Sequence, residues 1–364
     1  MESMAITADF WQGKKVLITG HTGFKGSWLA LWLQQLGANV VGFALDPPTK
    51  ANLFEKARVA EGMCSIHGDI RHLEDLRQVF LEHRPQIVFH LAAQSLVRES
   101  YLKPVETYQT NVMGTLHVLE AIRACPDVKA AVIVTTDKCY ENQEWLWPYR
   151  ENEPMGGHDP YSSSKGCAEL LIASYRQSFF SGASQPAIAS ARAGNVIGGG
   201  DWATDRLIPD ILNAFVTHQI VKIRNPDSVR PWQFVLEPLA GYLILAQQLY
   251  LTGHAYAEAW NFGAMPDDAK PVRWIVEKLC SLWQGGQWEN DTAETVHEAR
   301  LLKLDSTKAR ERLGWHARYS LGETLEKIVT WHEQALSGED MRTICNQTIV
   351  DYAKRINQGK NQCV

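Results

Sequence analysis

The chain has 364 residues, 45% hydrophobic and 21% charged, enough to bury a sizeable core as one large or two closely joined domains. A net charge of −5 (36 Lys and Arg against 41 Asp and Glu) argues against a general polyanion-binding surface, so no nucleic-acid partner is expected. No apolar run approaches the roughly 18 residues of a membrane span, residues 1–10 lack a basic-then-apolar leader, seven cysteines form no CxxC pair and 12 histidines no HExxH, so a reduced, cytoplasmic protein with no membrane and no metal is expected.

Residues 15–19 (KVLIT) read as a short apolar strand. A glycine cluster and a helical stretch over 27–36 follow, with Gly37 as the stop and 39–44 (NVVGFA) as a second strand. The alternation continues with a helix over 74–82, a strand over 87–90, a helix over 108–123 and a strand over 130–135. Repeated βα units with apolar strands predict an α/β fold: a doubly wound parallel sheet with helices on both faces and right-handed crossovers. An apolar strand over 187–191 precedes RAGNVIGGGD at 192–201, where the regular alternation ends. Beyond it, turn-rich segments carry helices over 236–251 and 272–282, with no internal repeat or long linker. Residues 1–195 are expected to form a nucleotide-binding domain. Residues 196–364 are expected to form mainly a smaller, mixed α/β substrate-binding domain that sends some elements back to the first.

Gly20, Gly23 and Gly26, in GHTGFKG, lie between the first strand and the first helix. Glycines there permit a tight turn and close backbone approach to a pyrophosphate, and a helix N-terminus favours its negative charge. The spacing is GxxGxxG, and with Thr22, Phe24 and Lys25 it forms a candidate dinucleotide loop of the Rossmann type. Asp46 ends the second strand about 20 residues on, where an acid holds ribose hydroxyls and repels a 2′-phosphate. NAD is therefore expected rather than NADP. Asp69 and Ile70 are placed to contact adenine, and Leu91, Ala92 and Ala93 to line the cofactor channel.

Tyr161 and Lys165 stand four apart at the start of a predicted helix after Pro160, so they share one face. A Lys ammonium beside a phenol favours phenolate, which predicts a lowered Tyr161 and a general base usable near neutral pH. Thr136, Asp137 and Lys138 follow the strand over 130–135, at its C-terminal end, where open α/β sheets bind ligands. Thr136 can hydrogen-bond an alcohol whose proton Tyr161 takes, while Asp137 and Lys138 can supply an acid and a base.

These motifs resemble, in order, those of the extended short-chain dehydrogenase/reductase family: the glycine loop, His90–Ala93 (HLAA), Asn111–Thr115 (NVMGT) and the YxxxK pair. Within it, Thr136-Asp137 followed by a polar residue is similar to the sugar-nucleotide 4,6-dehydratases. Those of the dTDP-glucose type carry Thr-Asp-Glu, whereas this chain has Lys138 in place of the Glu. Thr136–Tyr140 (TDKCY), GGGDWATDRLIP at 198–209 and RPWQ at 230–233 are similar to the CDP-glucose branch.

The resemblance implies a nucleotide-diphosphate sugar, CDP-glucose, as substrate and a homodimer or homotetramer. It implies oxidation at C4, elimination of water across C5 and C6, and reduction at C6. It adds Thr110 and Thr135 to the cofactor contacts, and Gln94, Ser95 and Asn195 to the substrate contacts. Arg206, Arg230 and Arg300 are candidates for the diphosphate, because a guanidinium offers fixed, paired donors. Trp232 is a candidate substrate contact, and Trp202 is weighed beside it. The base at C5 stays open between Lys138, Asp137 and a water. Other readings of the same residues are a 4-epimerase or oxidoreductase on this fold, or a non-catalytic NAD-binding sensor; an intact Tyr161–Lys165 pair disfavours the sensor.

Overall fold

Strands covered on both faces need apolar side chains at every position rather than at alternate ones. Ala130–Val134 meets that demand in full, and Ile87–His90 and Ala187–Ala193 are likewise buried at each residue, with His90, Ser190 and Arg192 as their polar exceptions. The computed structural model describes residues 6–291 and 301–358. In chain order the strands are β1 (Lys15–Thr19), β2 (Asn39–Ala44), β3 (Cys64–His67), β4 (Ile87–His90), β5 (Ala130–Val134), β6 (Ala187–Ala193), β7 (Asn195–Ile197), β8 (Val221–Ile223), β9 (Val229–Phe234), β10 (Ala259–Phe262), β11 (Ala269–Pro271) and β12 (Trp288–Asn290).

Seven of them form one sheet in the order β3-β2-β1-β4-β5-β6-β10, every neighbouring pair parallel. From β1 the chain builds outward to β3, then returns to place β4 on the other side of β1. The crevice over the β1–β4 boundary is therefore the switch point at which such sheets bind ligands. Side chains alternate between two cores: Val16 and Ile18 join one, Leu17 the other. The first core holds the helix Phe24–Gln35, buried from Gly26 through Leu33 because the sheet lies under it and the C-terminal helix Met341–Gln358 over it. Trp32 meets Tyr352 of that last helix edge-to-face at 5.7 Å. Helix Leu236–Thr252 also lies on this face, against β5 and β6. The opposite core takes Leu76 of Leu73–His83, Leu119 of Gly114–Ala124 and Ile172 of Pro160–Ser178.

The region after β6 makes two small sheets, β11-β9-β7 and β12-β8, around a core of Ile208, Ile211, Ile275, Leu325 and Ile328. It also returns β10 and the helix Leu236–Thr252 to the large sheet.

Three elements differ from the sequence expectation. The first helix starts at Phe24, three residues early, because Gly26 packs on Gly20 and lets the turn close within the motif. The stretch expected as one helix over 108–123 is Pro104–Tyr108, a π turn Gln109–Met113 and Gly114–Ala124. The extra residue of that π turn accompanies Asn111, whose amide reaches the Gln94 carbonyl and the Ser164 hydroxyl, each at 2.9 Å. Finally, β6 runs two residues longer than expected because β10 pairs it as far as Ala193.

Candidate active site

Gly20 leaves β1 with φ +78°, and a Cβ there would lie 2.7 Å from Ala92 N. A Cβ on Gly26 would stand 2.1 Å from Gly20 O, a contact no side chain tolerates. The loop thus passes backbone-close to the start of the helix Phe24–Gln35, capped by Gly23, whose first-turn N–H groups lack intrahelical acceptors. A diphosphate fits that cradle. Thr22 faces the other way: its hydroxyl donates to Leu45 O at 2.8 Å and ties the loop to the end of β2.

Asp46 stands just past β2, exposed, with His67 Nε2 at 3.6 Å. Its carboxylate is open to a ribose. Asp69 is held by Arg71 through the backbone N–H at 2.9 Å and the guanidinium at 2.6 Å, so its side chain shapes the turn before Ile70. Ile70 is buried and its carbonyl accepts from His117. After β4, Leu91 and Ala92 bond back to Thr19, and Ala93 and Thr110 are half-buried around the same crevice. Gln94 is spent within the protein: its amide donates to Thr107, its Oε1 accepts from Leu96 N, and its backbone pairs with Asn111.

At the end of β5, Thr136 donates to Asp137 Oδ1 at 2.9 Å and accepts from Lys138 N at 3.3 Å. Asp137 is buried, which raises its carboxyl above the usual range; Lys138, Thr136 and Arg230 oppose that rise. A carboxyl held this way keeps its proton more readily and suits a general acid. Lys138 is half-buried with its charge toward Asp137. Tyr161 and Lys165 open the helix Pro160–Ser178, whose N-cap Asp159 accepts from Ser162 N and Oγ.

The expected lowering of the phenol does not occur in the protein alone. Burial pushes Tyr161 up to about 12, and a hydrogen bond with Thr136 is the largest opposing effect. Lys165 comes down to about 8, also by burial, with Glu169 acting against the fall, and its Nζ donates to Val134 O at 3.5 Å. Lys25, expected at the cofactor, reaches the catalytic side: its Nζ lies 5.7 Å over the Tyr242 ring, and burial with the nearby Lys165 and Arg206 brings it down to about 7. A dry site dense in cations is built to receive negative charge.

On the substrate side, Arg206 donates to Asp201 at 2.9 Å and to Ser95 at 3.1 Å, which joins the glycine-rich loop to the segment after β4. Arg230, on β9, acts on Asp137 and is half-buried. Asn195, at the start of β7, donates to Pro231 O. Trp232, expected at the substrate, is buried in the core of the second region, where its ring packs among the apolar side chains of that cluster. Trp202 packs edge-on against Trp331 at 5.6 Å. Arg300 lies outside the described residues.

Sequence reasoning missed a buried network under this centre. Glu169 accepts from Thr135 Oγ1, from Ser190 Oγ at 2.8 Å and from Arg192 at 2.7 Å. Arg192 also donates to Tyr140 at 2.6 Å, and Tyr140 donates to Asn261. Thr135, expected at the cofactor, therefore points its side chain into the protein. The signals were present: Glu169 stands four residues beyond Lys165, and Arg192 interrupts the apolar run of β6.

A family model described as GDP-mannose 4,6 dehydratase matches residues 17–328. A CDP-glucose 4,6-dehydratase from Salmonella typhimurium is 56% identical over 352 residues, covering 95% of this chain and 98% of its own. A dTDP-glucose 4,6-dehydratase from Xanthomonas campestris pv. campestris is 26% identical, over 87% of this chain and 92% of its own. Among solved structures, dTDP-glucose 4,6-dehydratase from Bacillus anthracis in complex with NAD superposes with a TM-score of 0.75 at 22% identity, covering 91% of this chain and 100% of that one. By sequence over most of its length, and with a fold to match, the chain belongs to the GDP-mannose 4,6 dehydratase family.

Proposed function

We propose that this chain is an NAD-dependent hydro-lyase that converts CDP-glucose to CDP-4-keto-6-deoxyglucose and water. The observation that carries the reaction class is Asp137, a buried acid hydrogen-bonded to Thr136 beside the Tyr161–Lys165 pair. A 4-epimerase needs the tyrosine and the threonine but no acid at the neighbouring carbon. The choice of CDP-glucose rests on the likeness to the Salmonella typhimurium enzyme.

The residues fit NAD: the Gly20–Gly26 cradle takes the diphosphate, and Asp46 the adenosine ribose. When bound, NAD supplies a hydride acceptor for C4 and returns the hydride at C6. Tyr161 takes the proton of the 4-hydroxyl, with Thr136 hydrogen-bonding the same oxygen. Tyr161 does this as the phenolate, whose negative charge Lys165 steadies until the proton is taken. Once C4 is a ketone the C5 hydrogen is acidic, and Lys138 acts at this step, as the base or as the cation that stabilises the enolate while Asp137 or a water takes the proton. Asp137 protonates the departing 6-hydroxyl. Arg206 and Arg230 are the guanidinium donors for the diphosphate.

The outward residues Val105, Tyr108, Met113 and Leu170 leave an apolar face on the helices near 104–113 and on Pro160–Ser178, which supports a dimer formed through these helices. Incubation with NAD+ and a panel of nucleotide-glucoses, followed by mass spectrometry and NMR, tests the activity. Loss of one water from CDP-glucose is expected. Turnover of another nucleotide sugar in its place overturns the nucleotide, and epimerisation without water loss overturns the reaction class.

A further inference from the structure

Glu169 is a buried carboxylate with no part in the chemistry above, yet it touches three elements that shape the site. It lies on Pro160–Ser178 two turns after Tyr161 and one after Lys165, so all three share a face. From β5 it receives the hydroxyl of Thr135, the residue before Thr136 and Asp137. From β6 it receives Ser190 and the guanidinium of Arg192, 2.7 Å away, with both ion-pair side chains almost wholly buried. Arg192 is itself fixed by Tyr140, just beyond Lys138, and by the Glu151 carbonyl. The network thus grips the Thr136–Lys138 segment from both ends.

We propose that Glu169 is a positioning residue of this active site: through Thr135 it sets the strand end carrying Thr136 and Asp137, and, one helical turn beyond Lys165, it places a negative charge on the face that carries that lysine. The inference rests on the function proposed above. Glu169 remains a carboxylate because Arg192, Thr135 and Ser190 together overcome the cost of its burial. The other groups acting on Lys165 do not replace it. Burial drives Lys165 toward its neutral form, Cys139 is an uncharged thiol pushed well up by burial, His90 is neutral at about 3, and Lys25, at the start of Phe24–Gln35, is a base brought down to about 7 that adds no negative charge. Arg176, on the same helix, and Arg192 draw on the same carboxylate. Without the charge of Glu169, Lys165 gives up its proton at lower pH.

The test compares pH profiles of kcat and of KM for the parent and for Glu169→Gln, which keeps the shape of the side chain and deletes its charge. The variant-to-parent ratio of kcat should fall about tenfold between about pH 6.5 and about pH 8.5, with KM for CDP-glucose near the parent's. Glu169→Asp retains the charge and should restore a flat ratio. Thr135→Val leaves the carboxylate in place and tests the strand contact even where Glu169→Gln fails to fold. Its kcat should drop about tenfold at every pH with KM unchanged. A folded Glu169→Gln with a pH-independent ratio, or a Thr135→Val with the parent's kcat, overturns the assignment. Parent protein that does not turn over CDP-glucose defeats the proposed function instead, so the two failures are distinguishable.

Discussion

Burial holds the Tyr161 phenol at about 12, so near pH 7.5 only about one site in thirty thousand carries the phenolate that the proposed mechanism needs. Bringing it to that pH requires about 6 kcal/mol of favourable interaction with the charged form. A cation about 5 Å away contributes roughly 3 kcal/mol at an effective dielectric near 20. Two cations therefore suffice: the oxidised nicotinamide ring and the Lys165 ammonium. In the free protein Lys165 does not help, since at about 8 it has lost its proton before the phenol ionises. Ultraviolet difference titration, with Tyr161→Phe as the blank, should find the phenolate several pH units lower with NAD+ bound than without. Lys165→Met should give back about half of that drop. An NAD+-loaded parent whose Tyr161 ionises no lower than in the free protein refutes the assignment of the phenolate as base.

Gly26→Ala forces a Cβ to 2.1 Å from Gly20 O, and relieving it opens the phosphate cradle. NAD+ affinity by calorimetry should fall on the order of a hundredfold, about 2–3 kcal/mol. Gly322→Ala, where nothing lies within 4 Å, should leave NAD+ affinity intact, and equal losses in both would remove the cradle from the account. Asp46→Ala should narrow the preference for NAD+ over NADP+ by about tenfold or more, and equal use of both cofactors by the parent contradicts the role of Asp46. Lys138→Met should keep C4 oxidation in a single turnover while exchange of the C5 hydrogen with solvent deuterium collapses. Exchange at the parent's rate transfers the base role to a neighbour such as Asp137.

The strands that place the site were legible because each is an apolar run bounded by glycine or polar residues, and β1, β2 and β4 fall where the sequence puts them. The C-terminal end of β6 was not, since its partner β10 arrives from about 70 residues later in the chain. Residue spacing reported correctly that Tyr161 and Lys165 share a helical face. It carried no information on how dry that face is, so burial, rather than the neighbouring lysine, sets the phenol. The side chains of Thr22, Gln94 and Thr135 show the same limit: each has the chemistry of a ligand contact, and each meets a partner from a distant element. Glu169 and Arg192 become a pair only when the helix Pro160–Ser178 lies across β6. Trp232 read as a ligand-facing aromatic from its neighbours in sequence, but the helices that bury it in the core of the second region come from distant parts of the chain.

The central claim is a dehydration in which one hydride leaves C4 and returns at C6 of the same sugar. CDP-glucose deuterated at C4, turned over with NAD+ and followed by NMR, tests it directly. The label should appear in the C6 methyl group of a 4-keto product that has lost one water, with no reduced cofactor accumulating. Label found in free reduced cofactor, or retained at C4 of an inverted sugar, contradicts the account.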